Sequence, residues 1–328
     1  MRQALWLLGV LVALVILDVA LGSFLSPYQL QVVVLCGINI VLAVSLNLIN
    51  GFTGQFSIGH AGFMALGAYG SAMFSLHVGS GWVTRLQAAG LPLPIAAAPA
   101  LLMALLLGGL LAALAGYLVG LPSLRLRGDY LAIVTLGFGE IIRVLILNID
   151  VIGGARGLPG IPNWANVFWV GVGVAAVLAL SRNLAHSTHG RALFAIRDDE
   201  VAAEALGVDT TSYKVLAFVL GAFFAGVAGG LFAHFLSYLN PNSFTFIKSI
   251  EVIAMVVLGG MGSISGSVLA AVLLTLLPEV LRPVKEYRMV LYSVMLIVLM
   301  ITRPQGLLGT RELSFAWLRR RRPAGEAA

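Results

Sequence analysis

Charge, lysine and cysteine are scarce in this sequence, and each shortage removes a class of function. Only 10% of the 328 residues are charged, and none of the three lysines completes the G-x-x-x-x-G-K-[ST] loop that cradles nucleotide phosphates. The one cysteine, Cys36, leaves no disulfide framework and no thiolate metal site. The hydrolase motifs H-E-x-x-H and G-x-S-x-G are absent as well. The chain therefore shows no means of hydrolysing ATP by that loop, and transport is the function class that remains.

Apolar residues are what the sequence has in excess. Hydrophobic residues make up 59% of the chain and the mean hydropathy is +0.99, which is typical of a protein that crosses a membrane several times. A hydrocarbon core about 30 Å thick requires roughly 20 apolar residues in helix. The segments that approach this length are 4–22, 30–49, 57–78, 95–119, 130–149, 164–182, 213–237 and 287–302. We therefore predict an all-α, polytopic membrane helix bundle.

The basic residues predict the orientation of the bundle, because Lys and Arg beside short loops are kept on the cytoplasmic side. Placing Arg2 inside also places Lys214 and the basic run 319–322 inside, so both termini are predicted to be cytoplasmic. The broken apolar stretch at 245–281 must then enter and leave on one side, either as two crossings or as a re-entrant hairpin. Its bend is expected in GGMGSISG at 259–266. The prediction is about eight to ten transmembrane helices with a broken or re-entrant segment.

The predicted domain organisation is simple. One transmembrane permease domain covers 1–310 and includes a cytoplasmic loop at about 183–212. A basic cytoplasmic tail, expected to be flexible, covers 311–328. The net charge of +6 is then mostly an orientation signal, so we expect no nucleic-acid partner.

Glycine is abundant, with 38 residues, and much of it falls inside predicted spans. In lipid, small residues spaced four apart let helix backbones approach closely, which is how such helices pack. We expect packing at two stripes of small residues and bending at four glycines. The stripes are Gly67, Ser71, Ser75 and Ala222, Gly226, Gly230, and the predicted hinge comprises Gly259, Gly260, Gly262 and Gly266.

Polar residues inside the predicted spans point to a transport route, because each is costly in lipid unless it is paired or faces a cavity. The densest group follows the second span, where Gln55, Ser57 and His60 stand beside glycines that can expose backbone. Asn47 lies on the second span just before them. We predict that these four line a pathway. The alternative is packing or a hinge, and for His60 a hydrogen bond to a neighbouring helix carbonyl.

Two pairs of opposite charge are spaced three residues apart, which lets each pair meet on one helix face. Glu140 and Arg143 form the first pair, and mutual neutralisation is favoured for them over a role in the pathway. Lys248 and Glu251 form the second pair, for which a structural role and a gate are equally open. Glu251 could instead lie at the membrane surface.

One polar island interrupts the apolar chain at 190–209. Asp198, Asp199 and Glu200 favour the start of a helix, where negative charge meets exposed amides, and Gly207 can end it in the left-handed conformation. A helix of about eight residues, roughly 12 Å long, is too short to be stable without a surface to lie against. We favour docking to a cytosolic motor subunit over a solvated loop. The residues assigned to this coupling are Arg191, Arg197, Asp198, Asp199, Glu200, Glu204, Ala205 and Gly207.

Four segments, at 45–72, 121–148, 187–234 and 255–271, are spread over most of the chain. Together they resemble the membrane subunits of bacterial ABC importers, specifically the LivM-type permeases for branched-chain amino acids. In such permeases a polar loop carries the EAA-type coupling motif, which Glu204, Ala205 and Gly207 match in part.

The resemblance implies a division of labour. This chain would pair with a second, related permease of the LivH type, two cytosolic ATPase subunits would bind ATP and Mg, and a periplasmic binding protein would deliver the substrate. The chain itself would have no cofactor, metal or enzymatic activity. Leucine, isoleucine and valine are the implied substrates, with urea, short amides or other amino acids as alternatives. Transport would proceed by alternating access across the bacterial inner membrane.

A stand-alone channel or secondary transporter is the competing interpretation. It would explain the buried polar groups, and GGMGSISG at 259–266 could be a discontinuous helix that binds substrate in mid-membrane. The cytosolic island argues against it, because a self-contained carrier does not need one.

Overall fold

The computed structural model describes residues 2–123, 129–282 and 306–309, and the single positions 290, 293, 294, 297, 298, 301 and 302. The longer of these ranges form twelve α-helices and two short strands. The helices are α1 (Arg2–Phe24), α2 (Pro27–Asn50), α3 (His60–Phe74), α4 (Ser80–Ala88), α5 (Leu93–Ser123), α6 (Asp129–Asn148), α7 (Val167–Ala185), α8 (Thr188–Asp198), α9 (Glu200–Ala205), α10 (Thr210–Leu236), α11 (Phe246–Gly259) and α12 (Ile264–Val280). The strands β1 (Leu158–Pro159) and β2 (Tyr238–Leu239) pair antiparallel.

The predicted all-α membrane bundle is confirmed. Within the described ranges, five helices are long and apolar enough to cross a membrane, namely α2, α5, α6, α7 and α10. Two further helices, α1 and α12, are apolar over shorter windows. A π-helical turn at Ser75–Gly79 joins α3 to α4 without interruption. The count of eight to ten crossings and the cytoplasmic placement of both termini stay predictions.

Some predicted parts lie outside the described residues. The last predicted span, 287–302, is described at seven positions, all of them helical. The tail 311–328 lies wholly outside, and so does the basic run 319–322 within it. The division of the chain at residue 310 therefore stays a prediction.

Local sequence explains where several helices begin. At α2, the Ser26 hydroxyl accepts from the Gln29 amide at 3.4 Å while the Gln29 side chain accepts from the Ser26 amide at 3.0 Å, and Pro27 fills the first helical position. Asn166 caps α7 and Asp209 caps α10, and in each case the side-chain oxygen accepts from a backbone amide of the first turn. These caps satisfy terminal amides that lipid would leave without partners.

The centre of the bundle is built where α10, α3 and α5 meet. A Cβ atom on Gly67 would collide with the backbone of Gly226, and one on Gly108 would lie 3.2 Å from the Cβ of Ser71. A Cβ atom on Gly230 would lie 3.0 Å from the Ser71 hydroxyl. The two predicted small-residue stripes therefore face each other, which confirms that they serve helix packing.

The acidic residue inside the first helix has a structural role. One carboxylate oxygen of Asp18 accepts from the Asn166 side chain at 2.9 Å, and the other accepts from the backbone amide of Phe168 at 3.3 Å. Negative charge at the start of α7 is favourable because the first amides of a helix are unpaired. Asp18 therefore fastens α1 to α7.

The connections between helices gather at two opposite ends of the bundle. One end contains β1 and β2, and the loop around Pro162 contacts His234 near the end of α10. The other end, which we call the island end, contains the loop after α2, the helices α8 and α9, and the break between α11 and α12. From this break α12 runs back along α2 until Arg282 lies 4.5 Å from the ring centre of Tyr28. The helices α11, with 14 residues, and α12, with 17 residues, pack against each other, and the choice between two crossings and a re-entrant hairpin stays a prediction.

Substitution of Gly67 by leucine tests the packing at the centre of the bundle. The added side chain would overlap the Gly226 backbone, and such overpacking typically costs about 1–3 kcal/mol. We expect a lower melting temperature for the purified protein in mild detergent. Gly137→Leu is the matched control, because no atom lies within 4 Å of a Cβ atom at that position. Equal melting temperatures for the two variants would contradict the packing described here.

Candidate translocation and coupling site

The chain between α2 and α3 is not helical, yet side chains from α2, α6 and α11 bond two of its amides and the amide of Ala61 in the first turn of α3. Asn50 at the end of α2 accepts from the Ser57 amide at 3.2 Å. The hydroxyl of Thr135 on α6 accepts from the Ile58 amide at 3.0 Å. The hydroxyl of Ser249 on α11 accepts from the Ala61 amide at 3.0 Å. Buried backbone that leaves a helix requires such partners, so the segment is held in one defined shape. Thr135 and Ser249 were not predicted, and their only signal is a hydroxyl in an apolar helix.

The same segment, residues 50–60, concentrates buried polar atoms that have no hydrogen-bond partner among the described residues. They are the side-chain nitrogen of Asn50, both polar atoms of the Gln55 amide, the Ser57 hydroxyl and Nδ1 of His60. The side chains are at most 7% exposed. A buried polar group without a partner costs about 1–3 kcal/mol, and native structures contain few of them. Three of the four residues predicted to line a pathway therefore carry such atoms.

His60 is held beside α2 by a hydroxyl. The Ser45 hydroxyl lies 2.9 Å from the Leu42 carbonyl and 2.9 Å from Nε2 of His60, and which of the two side chains donates to the other depends on the ring's tautomer. Nδ1 of His60 has no hydrogen-bond partner among the described residues and is buried in the bundle.

Asn47 joins the end of α2 to the break between α11 and α12. Its side-chain oxygen accepts from the Gly262 amide at 2.8 Å, and its side-chain nitrogen donates to the Ser263 carbonyl at 3.1 Å. A Cβ atom on Gly51 would overlap the Gly262 amide, so the two non-helical segments are in direct contact. Asn47 is thus committed to backbone groups, and its contact with a substrate stays a prediction.

The four glycines of the predicted hinge surround this break. α11 ends at Gly259 and α12 begins at Ile264. Gly260 has φ +106° and Gly262 has φ +89°, which side-chain-bearing residues rarely adopt. A Cβ atom on Gly259 would lie 2.5 Å from the backbone carbon of Gly266, so the two helices touch at their glycines. The predicted position of the bend is confirmed, whereas movement at this hinge stays a prediction.

A segment near the end of the chain covers the break. The amide of Leu307 donates to the Leu258 carbonyl at 2.7 Å, and the amide of Leu308 donates to the Gly259 carbonyl at 3.4 Å. These two carbonyls belong to the last turn of α11, where no later amide of the same helix is available to bond them. Residues 306–309 therefore cap the interrupted helix.

The two predicted ion pairs are both formed, and each neutralises its own charges. Arg143 donates to Glu140 at 2.7 Å, and the second oxygen of Glu140 accepts from the Phe246 amide at the start of α11. Lys248 lies 3.1 Å from Glu251 and also donates to the Asn39 side chain at 3.2 Å. The Glu251 side chain is 45% exposed. These contacts tie α6 to α11 and α11 to α2, while roles of the four charges in a pathway stay predictions.

The polar island folds into two helices, so the prediction of a single helix of about eight residues was wrong in extent. The first helix, α8, has 11 residues and begins behind Ser187, whose hydroxyl accepts from the Gly190 amide at 3.1 Å. The second helix, α9, has six residues. Asp199 separates them and caps α9 by accepting from two amides at 3.0 Å. The extended conformation of Asp199, which an N-cap requires, ends α8 before α9 can join it. Gly207 follows α9 with φ +84°, as predicted.

The short α9 is held by α10 of the same chain. The Glu200 carboxylate lies 2.6 Å from the ammonium group of Lys214, which is only 4% exposed. The Glu204 carboxylate accepts from the Thr210 hydroxyl at 2.8 Å. Hydrogen bonds from Ser212 lower the pKa of Asp209, so the cap of α10 is ionised at neutral pH. Lys214 and Thr210 were not predicted as site residues, although Lys214 is one of only three lysines in the chain.

The outer surface of α9 is apolar and uncovered. Val201 is 62% exposed and Leu206 is 85% exposed, whereas Ala203 faces inward and is buried. Charged residues, among them Arg191 and Asp198, are exposed on the same pair of helices. The eight residues predicted for coupling therefore lie on one consecutive pair of helices at the island end. Ala205 and Gly207 are exposed there as well.

Comparison with known proteins agrees with this architecture. A family model described as the permease component of the branched-chain amino acid transport system matches residues 28–301. The LivM permease protein of the high-affinity branched-chain amino acid transport system of Escherichia coli K12 is 38% identical over an alignment that covers 91% of this chain and 74% of that protein. A probable LivM permease of Methanocaldococcus jannaschii is 26% identical over an alignment that covers 83% of this chain and 90% of that protein.

The similarity extends in part to a second kind of permease. The LivH permease protein of Escherichia coli K12 is 35% identical over 150 residues, which cover 45% of this chain and 48% of that protein. No solved structure matches the chain. The family model spans most of the described helices, and the LivM similarity spans nearly the whole chain. The chain therefore belongs to the family of permease components of branched-chain amino acid transport systems.

Proposed function

We propose that this chain is the membrane-spanning permease subunit of an ATP-driven importer that moves leucine, isoleucine and valine across the bacterial inner membrane. It pairs with a second permease similar to LivH. Two cytosolic ATPase subunits bind ATP and Mg, and a periplasmic binding protein delivers the substrate. The observation that carries the proposal is the uncovered apolar surface of α9, presented by a polar island at one end of an otherwise apolar bundle.

The geometry of the island suits a docking element. A six-residue helix is unstable by itself, yet α9 is fastened by the Lys214–Glu200 pair, the Glu204–Thr210 hydrogen bond and the buried Ala203. It is therefore rigid before a partner arrives, which reduces the entropy that docking would cost. Exposed apolar side chains on an otherwise polar segment are typical of a site that fits another protein. An ATPase subunit is the partner that the family membership favours.

The unpartnered polar atoms of residues 50–60 can form hydrogen bonds with a polar substrate. An amino acid carries an ammonium and a carboxylate group, and both need hydrogen-bond partners when they leave water. The Ser57 hydroxyl, the Gln55 amide and Nδ1 of His60 can each donate or accept, depending for His60 on the tautomer. Gln55 and Ser57 lie in the non-helical chain between α2 and α3, and His60 is the first residue of α3. Such interruptions occur in transporters where they line a route.

The cycle follows from these two parts. ATP binding closes the two ATPase subunits, and the closure moves α8 and α9. The bundle then opens the residue 50–60 segment to the cytoplasmic side of the membrane instead of the periplasmic side, and substrate is released to the cytoplasm. The chain itself performs no chemical step. It contributes the route and the helices α8 and α9, which transmit the movement.

Reconstitution of the assembled complex in liposomes tests the function directly. We expect leucine, isoleucine or valine, presented with the binding protein, to raise ATP hydrolysis several-fold and to accumulate inside. Urea and a short amide are the comparison substrates. If the chain alone moved leucine without ATP, it would be a self-contained carrier and the proposal would be overturned. Preferential uptake of urea would retain the importer and change only the substrate.

Replacement of Leu206 by glutamate tests docking at α9. The substitution places charge in the proposed apolar contact, and we expect recovery of the ATPase subunits with the affinity-purified chain to fall at least tenfold. Val151→Glu is the matched control, because Val151 is 77% exposed at the opposite end of the bundle. Undiminished recovery of ATPase with Leu206→Glu would move the docking site away from α9.

Replacement of Ser57 by alanine tests the route. Because no described group bonds the Ser57 hydroxyl, its removal should leave the melting temperature and assembly unchanged. If substrate uses this hydroxyl, uptake should fall about two- to tenfold, which corresponds to one hydrogen bond worth about 0.5–1.5 kcal/mol. Ser181→Ala, at a second buried hydroxyl without a described partner, is the control and should transport normally. Normal uptake by Ser57→Ala would place the route elsewhere.

A further inference from the structure

We propose that Phe194 and Arg197 of α8 form the junction that transmits movement of the island to both non-helical segments of the bundle. This inference rests on the proposed function, in which α9 docks an ATPase subunit. It assigns separate roles to the two island helices. α9 receives the partner, and α8 passes the displacement inward through two side chains.

The side chain of Arg197 lies against two glycines from different segments. A Cβ atom on Gly54, in the chain between α2 and α3, would lie 3.1 Å from Cγ of Arg197. A Cβ atom on Gly262, in the break between α11 and α12, would lie 3.0 Å from Nη1 of Arg197. Both glycines have positive φ, +69° and +89°. One arginine therefore touches the backbone of the proposed route and the backbone of the proposed hinge, with no intervening side chain at either glycine.

The position of Arg197 is set by Phe194, one turn before it on α8. The guanidinium carbon lies 5.1 Å from the centre of the Phe194 ring, within the range of a cation–π contact. Arg197 also pairs with Asp198 at 2.9 Å, but the Asp198 side chain is 69% exposed. Exposed ion pairs of this kind contribute little, so the ring and the two glycines are needed to fix the position of the arginine.

Phe194 in turn packs on the end of the second helix. Its ring centre lies 4.9 Å from that of Phe52, which is 1% exposed. A small hydrophobic cluster, separate from the main core, holds this region together. Its buried members are Leu48, Phe52, Leu193 and Ala217, from α2, the residue 51–59 segment, α8 and α10. α8 is therefore packed into the bundle along one face, and it cannot shift without displacing Phe52.

The two segments that Arg197 touches are themselves joined. Asn47 binds the Gly262 amide and the Ser263 carbonyl, and Gly51 lies against Gly262. A push on α8 therefore reaches the break and the polar segment together rather than one after the other. Close-packed contacts of this kind transmit displacement because they cannot be compressed. This is the arrangement that coordinated movement of a hinge and a route requires.

The test is the number of substrate molecules moved per ATP hydrolysed by the full reconstituted complex with leucine and binding protein. We expect Arg197→Met to retain assembly and at least half of the wild-type ATP hydrolysis, while leucine uptake falls at least fivefold. Arg197→Lys keeps the charge but not the planar group over Phe194. Its ratio of leucine uptake to ATP hydrolysis should lie between those of the wild type and Arg197→Met. Arg182→Met is the control, because Arg182 is exposed at the end of α7 and should leave both rates unchanged.

Each other outcome overturns the junction. Unchanged uptake in Arg197→Met would show that the contact transmits nothing. Loss of hydrolysis and uptake together, with assembly intact, would show that Arg197 serves the ATPase contact instead. If Arg197→Met does not assemble, Phe194→Leu decides, because it keeps an apolar side chain and removes the ring. A wild-type ratio of uptake to hydrolysis in Phe194→Leu would then overturn the proposal. Failure of the wild-type complex to couple hydrolysis to uptake would refute the proposed function itself, and that result is distinct from all of these.

Discussion

The side chain of Asn47 is the contact on which the rest of the island end depends. A membrane bundle has to satisfy every buried amide and carbonyl internally, which is why uninterrupted helix is the default. At the island end, the described residues leave helix at 51–59 and at 260–263. Asn47 uses both ends of its amide on the second interruption while its own helix leads into the first. One side chain thereby makes two irregular segments part of a single structure.

The glycines follow from the same constraint. Where two segments are tied this closely, there is no room for side chains, and Gly51, Gly259 and Gly262 lie at those contacts. In the centre of the bundle Gly67 and Gly226 have a different purpose, since they let α3 and α10 touch along straight helix. In the centre of the bundle, small residues thus allow two helix backbones to touch. At the island end, they allow non-helical segments to pack against each other. The family model covers both regions.

The polar groups separate into those with partners and those without. Glu140, Arg143, Lys248 and Asn39 all find partners on neighbouring residues or helices, and they fasten α11 to the bundle. Among the described residues, five of the eight buried side-chain atoms without a hydrogen-bond partner lie in residues 50–60. Buried atoms of that kind are a cost to the resting structure. A transporter that must bind and then release a polar substrate has a use for groups that are not already satisfied.

Much of this architecture could be predicted from sequence. The composition predicted an all-α membrane bundle, GGMGSISG predicted the break, and the spacing of Glu140 and Arg143 predicted their ion pair, because each depends on residues close together in the chain. The island was only partly predicted. Its charges indicated a helix start near Asp199, but α8 was missed because its stability comes from burying Leu193 and Phe194 against the second helix.

The partners of Asn47, the hydroxyls of Thr135 and Ser249, and the position of Arg197 between two glycines came only from the tertiary structure. In each case the two groups are 60 or more positions apart in the chain, and no periodic pattern connects them. Sequence by itself determined that the long apolar segments are helical, where backbone can bend and which family the chain resembles, since these follow from residues close together in the chain. The tertiary structure decided which buried polar atoms are satisfied, because satisfaction depends on groups that only folding brings within hydrogen-bond distance.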